Sequence, residues 1–220
     1  MNLCIEIARG SGASNWLTSL PIEEEGFHLN KKEFWDAISI RYNWPIPFLP
    51  TICVCGKPFD MSHSLSCKKG GFVTLRHNEV RDLTAEMLHE VCRNVSTEPA
   101  LQPLTGEHLN RSAIIGDESR VDISARDFWV RGQQIFFDVR VFNPFAKGHA
   151  KKSLAKSFDI YEKENKMAYN LCIQEIEQGS FTPLVFATSG GMARECSTFY
   201  SRLSILISEK RREDVRKISA

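Results

Sequence analysis

Apolar positions along this chain recur with two periods, and the change from one to the other orders its elements. In "LNKKEFWDAISIRYNWP", Phe34, Ala37, Ile38 and Tyr42 fall at helical spacing, with Asn30 suited to the N-cap and Pro45 ending the run. Pro45, Pro47 and Pro50 then predict an extended linker. In "RHNEVRDLTAEMLHEVCRNV", Val80, Leu83, Met87, Leu88, Val91 and Val95 step by three and four, which predicts a second amphipathic helix. Arg76 and His77 precede it and are expected in a solvated cap region, while Glu79 lies at the edge of the apolar stripe, where its carboxylate can face a cleft. From Val121 the period becomes two: Val121, Ile123 and Ala125 oppose Asp122 and Ser124, and Ile135, Phe137, Val139 and Val141 oppose Asp138 and Arg140. These are two strands of a hairpin; a three-residue loop of Val130, Arg131 and Gly132 puts the two aspartates on one face, whereas a two-residue turn would put them on opposite faces. Residues 147–179 then predict a long helix that packs through Leu154, Phe158, Tyr161, Met167, Leu171 and Ile176. "FTPLVFATSGG" reads as a short buried strand, and the chain continues from about Met192 as a helix with a charged, solvated end.

Composition adds limits to this outline. With 220 residues, 42% of them hydrophobic, the chain can bury a sizeable core. The net charge of +1 gives no overall attraction to nucleic acid or membrane, so any such partner must be read from local charge. No apolar run reaches membrane-spanning length and "MNLCIEIARGSG" lacks the features of a signal peptide, so an intracellular protein is expected. Residues 1–50 carry six acidic and four basic side chains, a poor phosphate-binding surface. Lys147, Lys151, Lys152 and Lys156 follow one another without an intervening acid and form a candidate basic stripe for a nucleic-acid backbone; a solvated helix face is the other reading.

Seven cysteines, three of them close together, suit metal ligation better than a disulfide framework. Cys53, Cys55, His63 and Cys67 have the spacing C-x-C-x7-H-x3-C, which can close four soft ligands around a tetrahedral zinc ion. Four protein ligands leave no place for water, so such a site is structural. His77 is near enough in sequence to compete with His63. Cys4, Cys92, Cys172 and Cys196 are isolated and read as small buried apolar residues.

With a three-residue hairpin loop, Asp122 lies across from Arg140 and diagonal to Asp138, at a Cα separation of about 7–8 Å. Two carboxylates at that reach can share a magnesium ion, which polarises a phosphodiester and activates water, while the Arg140 cation balances developing charge. Pattern alone is equally consistent with an exposed Asp–Arg pair on a strand.

The order of helix, Asp-bearing strands, helix, strand and helix, with "RVD" and "FFDVRVFNPFA", resembles the PD-(D/E)XK restriction-like nuclease core, an α/β (α+β) fold with a mixed sheet flanked by helices. More closely, "RGSGASNWLTSLP", "FWDAISIRYNW", "CVCGKPFDMSHSLSCKKGG", "RHNEV", "FFDVRVFNPFA" and "SFTPLVFATSGGM" together resemble the C-terminal region of non-LTR retrotransposon polyproteins, where a zinc knuckle and a restriction-like endonuclease follow a reverse transcriptase. The resemblance implies a helical arm over 1–50, a zinc knuckle over 51–71, an endonuclease over 72–208 and a charged tail over 209–220. It implies structural Zn²⁺, catalytic Mg²⁺, DNA and element RNA as partners together with the reverse-transcriptase portion, no membrane, and action in the nucleus. By position, Asp122 and Asp138 match the acidic metal ligands, with Val121 where the family motif has proline. Glu79 is a candidate for the helix glutamate. Arg140 stands at the motif lysine and keeps its charge, but it stays protonated and is a poor proton-transfer group. Lys163 and Lys166, close to Tyr169, are candidates for a lysine supplied by the following helix. The alternatives are an inactive nucleic-acid-binding remnant and a zinc-stabilised protein-interaction module.

Overall fold

A computed structural model of the chain describes residues 3–10, 13–18, 28–101, 120–149 and 152–212. The period-two segments form part of a four-stranded sheet of order β1-β2-β3-β4, where β1 is Arg93–Thr97, β2 is Ile123–Arg126, β3 is Gln134–Phe142 and β4 is Ser180–Ala187. The first two pairings are antiparallel; β3 and β4 are parallel and joined through a helix, as a parallel pair requires. Around the sheet lie α1 (Leu3–Arg9), the single-turn α2 (Asn15–Thr18), α3 (Lys31–Tyr42), the short α4 (Met61–Ser64), α5 (Phe72–Val91), α6 (Leu154–Glu175) and α7 (Arg194–Arg211).

Alternation along β3 assigns the two faces of the sheet. Ile135, Phe137 and Val139 join Leu88 of α5 and Phe199 and Leu203 of α7 in the main core. Phe136 points the other way and meets Phe181 of β4 and Ile173 of α6. Phe128, Phe137, Phe199 and Tyr200 form a chain of ring contacts with centroids 4.8–5.8 Å apart. Gly179 lets the chain enter β4 closely: a Cβ there would come within 2.9 Å of the Phe136 ring.

Several sequence expectations change here. The helix expected from "RHNEV" starts earlier, at Phe72, so Arg76 and His77 lie within it, and it ends at Val91 because Arg93–Thr97 is a strand. The hairpin loop covers the seven residues Asp127–Gln133, since the last strand pair is Arg126↔Gln134. Asp127, with φ +76°, accepts the Gly132 N–H at 2.5 Å and so closes this wider loop, and Gly132 is left-handed as expected, φ +86°. The helix expected over 147–179 is confined to Leu154–Glu175, capped by Ser153, with Lys147 on a separate 3-10 turn. Met167 is exposed because the buried face of α6 runs through Leu154, Ser157, Asn165 and Ile173. Residues 209–211 end α7, where Arg211 grips Glu90 through Nε and Nη2 at 2.9 and 2.6 Å; residues 213–220 lie outside the described ones.

The arm also belongs to the main core. Ile7 is fully buried within it, and the Glu6 carboxylate accepts the Leu154 N–H at 2.8 Å, satisfying an orphan donor at the start of α6. Arg41 of α3 is buried and donates through Nη2 to Ser14 Oγ at 2.7 Å and through Nη1 to the Ala13 carbonyl. Ile7→Ala is therefore expected to cost about 2–4 kcal/mol in urea unfolding of the whole chain. An unchanged midpoint would mean that α1 is not part of the cooperative core.

Candidate metal centre and carboxylate pair

The cysteine-rich segment folds on local hydrogen bonds. The Ile52↔Pro58 bridge, the Cys53 N–H to Lys57 carbonyl bond and the Gly56 N–H to Cys53 carbonyl bond form a tight turn that carries Cys53 and Cys55. Asp60 caps α4 through the His63 N–H at 2.7 Å, and the Cys67 N–H returns to the His63 carbonyl, so His63 and Cys67 share one turn of chain. As a result Cys53, Cys55, His63 and Cys67 offer ligand atoms that all lie within 4.8 Å of one another. Cys53 Sγ is 3.7 Å from Cys67 Sγ, and Cys55 Sγ is 3.2 Å from His63 Nε2. The Gly70 N–H, aided by that of Lys69, points at the Cys67 sulfur and lowers its thiol to about 7, which favours the thiolate a metal needs. Three sulfurs and an imidazole are a soft set that can hold a metal such as zinc, and four ligands close its coordination. No disulfide joins any of the seven cysteines; of the isolated four, Cys196 is fully buried and the others partly so.

Buried Asn143, just beyond β3, fastens this module to the sheet. Its Nδ2 donates to the Ser62 carbonyl at 3.2 Å and to Ser66 Oγ at 3.1 Å, while its Oδ1 accepts the Phe145 N–H. The 3-10 turn Lys68–Gly70 then leads directly into α5.

The pairing Ile123↔Phe137 brings Asp122, immediately before β2, alongside Asp138. This register is shifted by two residues from the one expected, so Asp122 no longer faces Arg140, and the carboxylates are closer than a diagonal pair. Asp122 Oδ2 accepts the Val139 N–H at 2.6 Å, and Oδ1 is 2.9 Å from His77 Nε2. The bond to Asp122 raises the His77 imidazole above its usual range and so favours the imidazolium. Asn165 of α6 donates to Asp138 Oδ2 at 2.8 Å and also accepts from Arg140 Nη1 at 3.3 Å. Burial, and after it the charge of Asp122, raises Asp138 to about 7. Burial likewise raises the phenol of Tyr169, a hydrogen-bond partner of Asp138.

The remaining sequence candidates are distributed unevenly. Glu79 is exposed, and His77, two residues earlier, is the α5 side chain at the aspartates. His77 is thereby engaged away from the cysteines, leaving His63 as the imidazole of that group. Arg140 lies with its guanidinium carbon 3.9 Å from the Tyr161 ring centroid and pairs with Glu164 at 2.9 Å. Lys163 is exposed and Lys166 pairs with Glu195 of α7, because both fall off the α6 face that carries Asn165 and Tyr169. Lys147, Lys152 and Lys156 are exposed, but they occupy a loop and the first turn of α6 rather than one helical stripe; Lys151 lies outside the described residues. His77, Asn165 and Tyr169 are thus the site residues that pattern reading missed. His77 continues the α5 stripe of Val80, Thr84, Leu88 and Val91, and Asn165 interrupts the Tyr161–Tyr169 face of α6, so each carried a signal as a polar residue in phase with buried ones.

The fold and these two centres define a mixed α/β domain with a Cys₃His group that could hold a metal and a partly buried carboxylate pair. No protein-family model matches the chain, and comparison with curated proteins gives no significant similarity. No helix among the described residues is long and apolar enough to cross a membrane.

Protein produced with zinc should hold about one zinc per chain by metal analysis, and Cys67→Ser should lose it. Asp138 has an ordinary value of 3.8 and a folded value of about 7, so the folded chain binds the extra proton between them. The stabilisation from this proton is complete below pH 3.8 and is lost as pH rises through about 7. In urea unfolding without divalent ions, Asp138→Asn should therefore gain on the order of 1–3 kcal/mol over the parent at pH 8 and much less at pH 4. An equal difference at both pH values would contradict the assignment.

Proposed function

We propose that this chain is a metal-dependent DNA endonuclease domain derived from a non-LTR retrotransposon polyprotein, with a restriction-like core and a structural zinc knuckle. One observation carries the reading: two carboxylates are held beside each other on neighbouring strands, where burial and the charge of Asp122 raise Asp138 to about 7. A site of that kind calls for a cation. Its all-oxygen donors suit magnesium, whereas the sulfur-rich cluster suits zinc.

Asp122 and Asp138 would hold the magnesium, which when bound polarises a phosphoryl oxygen and makes its water more acidic. Asp122 is oriented by the Val139 N–H and His77, and Asp138 by Asn165 and Tyr169, so neither needs to reorganise on binding. Arg140, on the same strand, supplies positive charge for the phosphate, with its guanidinium over the Tyr161 ring. Lys147, Lys152 and Lys156 offer backbone contacts at the start of α6. In this reading the domain nicks target DNA for a reverse transcriptase elsewhere in the parent polyprotein, with element RNA as a further partner, and acts in the nucleus.

A second reading, an inactive nucleic-acid-binding remnant, is favoured by the surroundings of Arg140. Its charge is engaged by Glu164, and among the described residues no lysine is bonded to either aspartate. Plasmid nicking separates the two. The parent should convert supercoiled DNA to open circles with Mg²⁺ or Mn²⁺, and Asp138→Ala should lower the rate by about two orders of magnitude or more. Retention of DNA with no nicking by the parent in either metal would reject the nuclease and support the remnant.

A further inference from the structure

Sulfurs gathered around a metal also lie close enough to react with one another. The ligand atoms of the Cys/His group divide into two contacts: Cys53 Sγ is 3.7 Å from Cys67 Sγ, and Cys55 Sγ is 3.2 Å from His63 Nε2. A zinc ion held there keeps the cysteines as thiolates, the form that attacks electrophiles. Cys67 is only half-buried, between exposed Ser66 and exposed Lys68 and Lys69, and the N–H groups of Gly70 and Lys69 point at its sulfur. Cys53 is 8% exposed. An oxidant from solvent therefore meets Cys67 first, with Cys53 waiting behind it. The other cysteines differ in kind. Burial raises the thiols of Cys92, Cys172 and Cys196, and Cys4 donates its S–H to the Tyr42 carbonyl at 3.4 Å.

We propose that the Cys/His group is a site of oxidative modification, at which a hydroperoxide joins Cys53 to Cys67 and expels the zinc. The Cys67 thiolate attacks the terminal peroxide oxygen, the O–O bond breaks, and the departing oxygen takes up a proton to leave as an alcohol, or as water from hydrogen peroxide. The Cys53 thiolate then attacks the sulfur of the Cys67 sulfenic acid, whose hydroxyl takes up a second proton and leaves as water. Two thiolates have lost two electrons in all, and the peroxide has gained them. A bond from Cys53 to Cys55, with one residue between its ends, would strain the turn. After the step only Cys55 and His63 remain as ligands where zinc uses four, so the ion leaves. Ser62 and Ser66, which hold Asn143 at the end of β3, lie inside the loop that the disulfide closes. Metal and disulfide are thus alternative closures of one segment.

The test treats the full zinc-loaded chain with hydrogen peroxide, without magnesium or DNA, so no readout depends on nicking. A chromogenic chelator should register the loss of about one zinc per chain. After free thiols are blocked and the chain is cleaved before Asp60, mass analysis should find the peptides of Cys53 and Cys67 joined, with Cys55 blocked as a free thiol. Dithiothreitol with added zinc should restore the starting state. The map is read on the parent, because Cys53→Ser removes a zinc ligand together with the resolving thiol. The proposal is overturned by a chain that takes up no zinc, by zinc that stays bound through the peroxide treatment, by a link from Cys53 to Cys55 or to any isolated cysteine, by Cys67 sulfinic acid without a link, or by zinc binding that reduction does not restore.

Discussion

Like charges repel strongly where water is scarce, and the β2–β3 register forces two of them together. With Ile123 paired to Phe137, Asp122 and Asp138 sit side by side. Burial, and after it the charge of Asp122, raises Asp138 to about 7. The neighbouring elements answer this cost with donors: the Val139 N–H and His77 serve Asp122, while Asn165 serves Asp138. Each donor comes from a different part of the fold, the sheet itself, α5 and α6, so the positions of these three elements are tied to one pair of side chains. The arrangement has a chemical reading because its remaining imbalance is one a cation would remove.

The Cys/His module bears on the same region from outside it. Its four candidate ligands are gathered by a turn and one short helix, and it passes through the Lys68–Gly70 turn into α5, whose second turn carries His77 to the sheet. Asn143 ties the module to the end of β3, the strand that carries Asp138. A closed metal there would fix the start of α5 and the end of β3 relative to each other. Under the proposed function that is a structural contribution to a nuclease, with the chemistry left to the aspartates. The N-terminal arm contributes in a comparable way, through Ile7 in the core and Glu6 at the start of α6.

Much of this was legible in the residue pattern, and the departures have physical causes. The cysteine and histidine spacing named all four members of the metal group, because ligands close in sequence need only local turns to meet. The alternation around Asp122 and Asp138 located both strands, yet it could not fix their register. Asp127 and Gly132 close a loop of seven residues by a side-chain bond that period-two reasoning does not see. The shift was by an even number of residues, which preserves strand parity and explains why the pair survived the error. Strand β1 escaped because its residues are mostly exposed and show no alternation, with a register irregularity after Arg93. His77 and Asn165 were missed for a different reason: each is a polar residue on a helix stripe, and its partner is distant in sequence. Glu79, Lys163 and Lys166 have the expected chemical type but point away from the pair, a matter of helical phase that composition cannot reveal.

The central claim is that Asp122 and Asp138 form a strained pair that a divalent cation relieves. The most direct measurement is a carbon NMR titration of the aspartate carboxyl groups, with Asp138 assigned through Asp138→Asn, in the absence and presence of magnesium. Without the metal Asp138 should titrate near pH 7, and magnesium should move it well below that as the cation displaces the Asp138 proton. An Asp138 that titrates in the ordinary carboxylate range without metal, or one that magnesium leaves unmoved, would contradict the account.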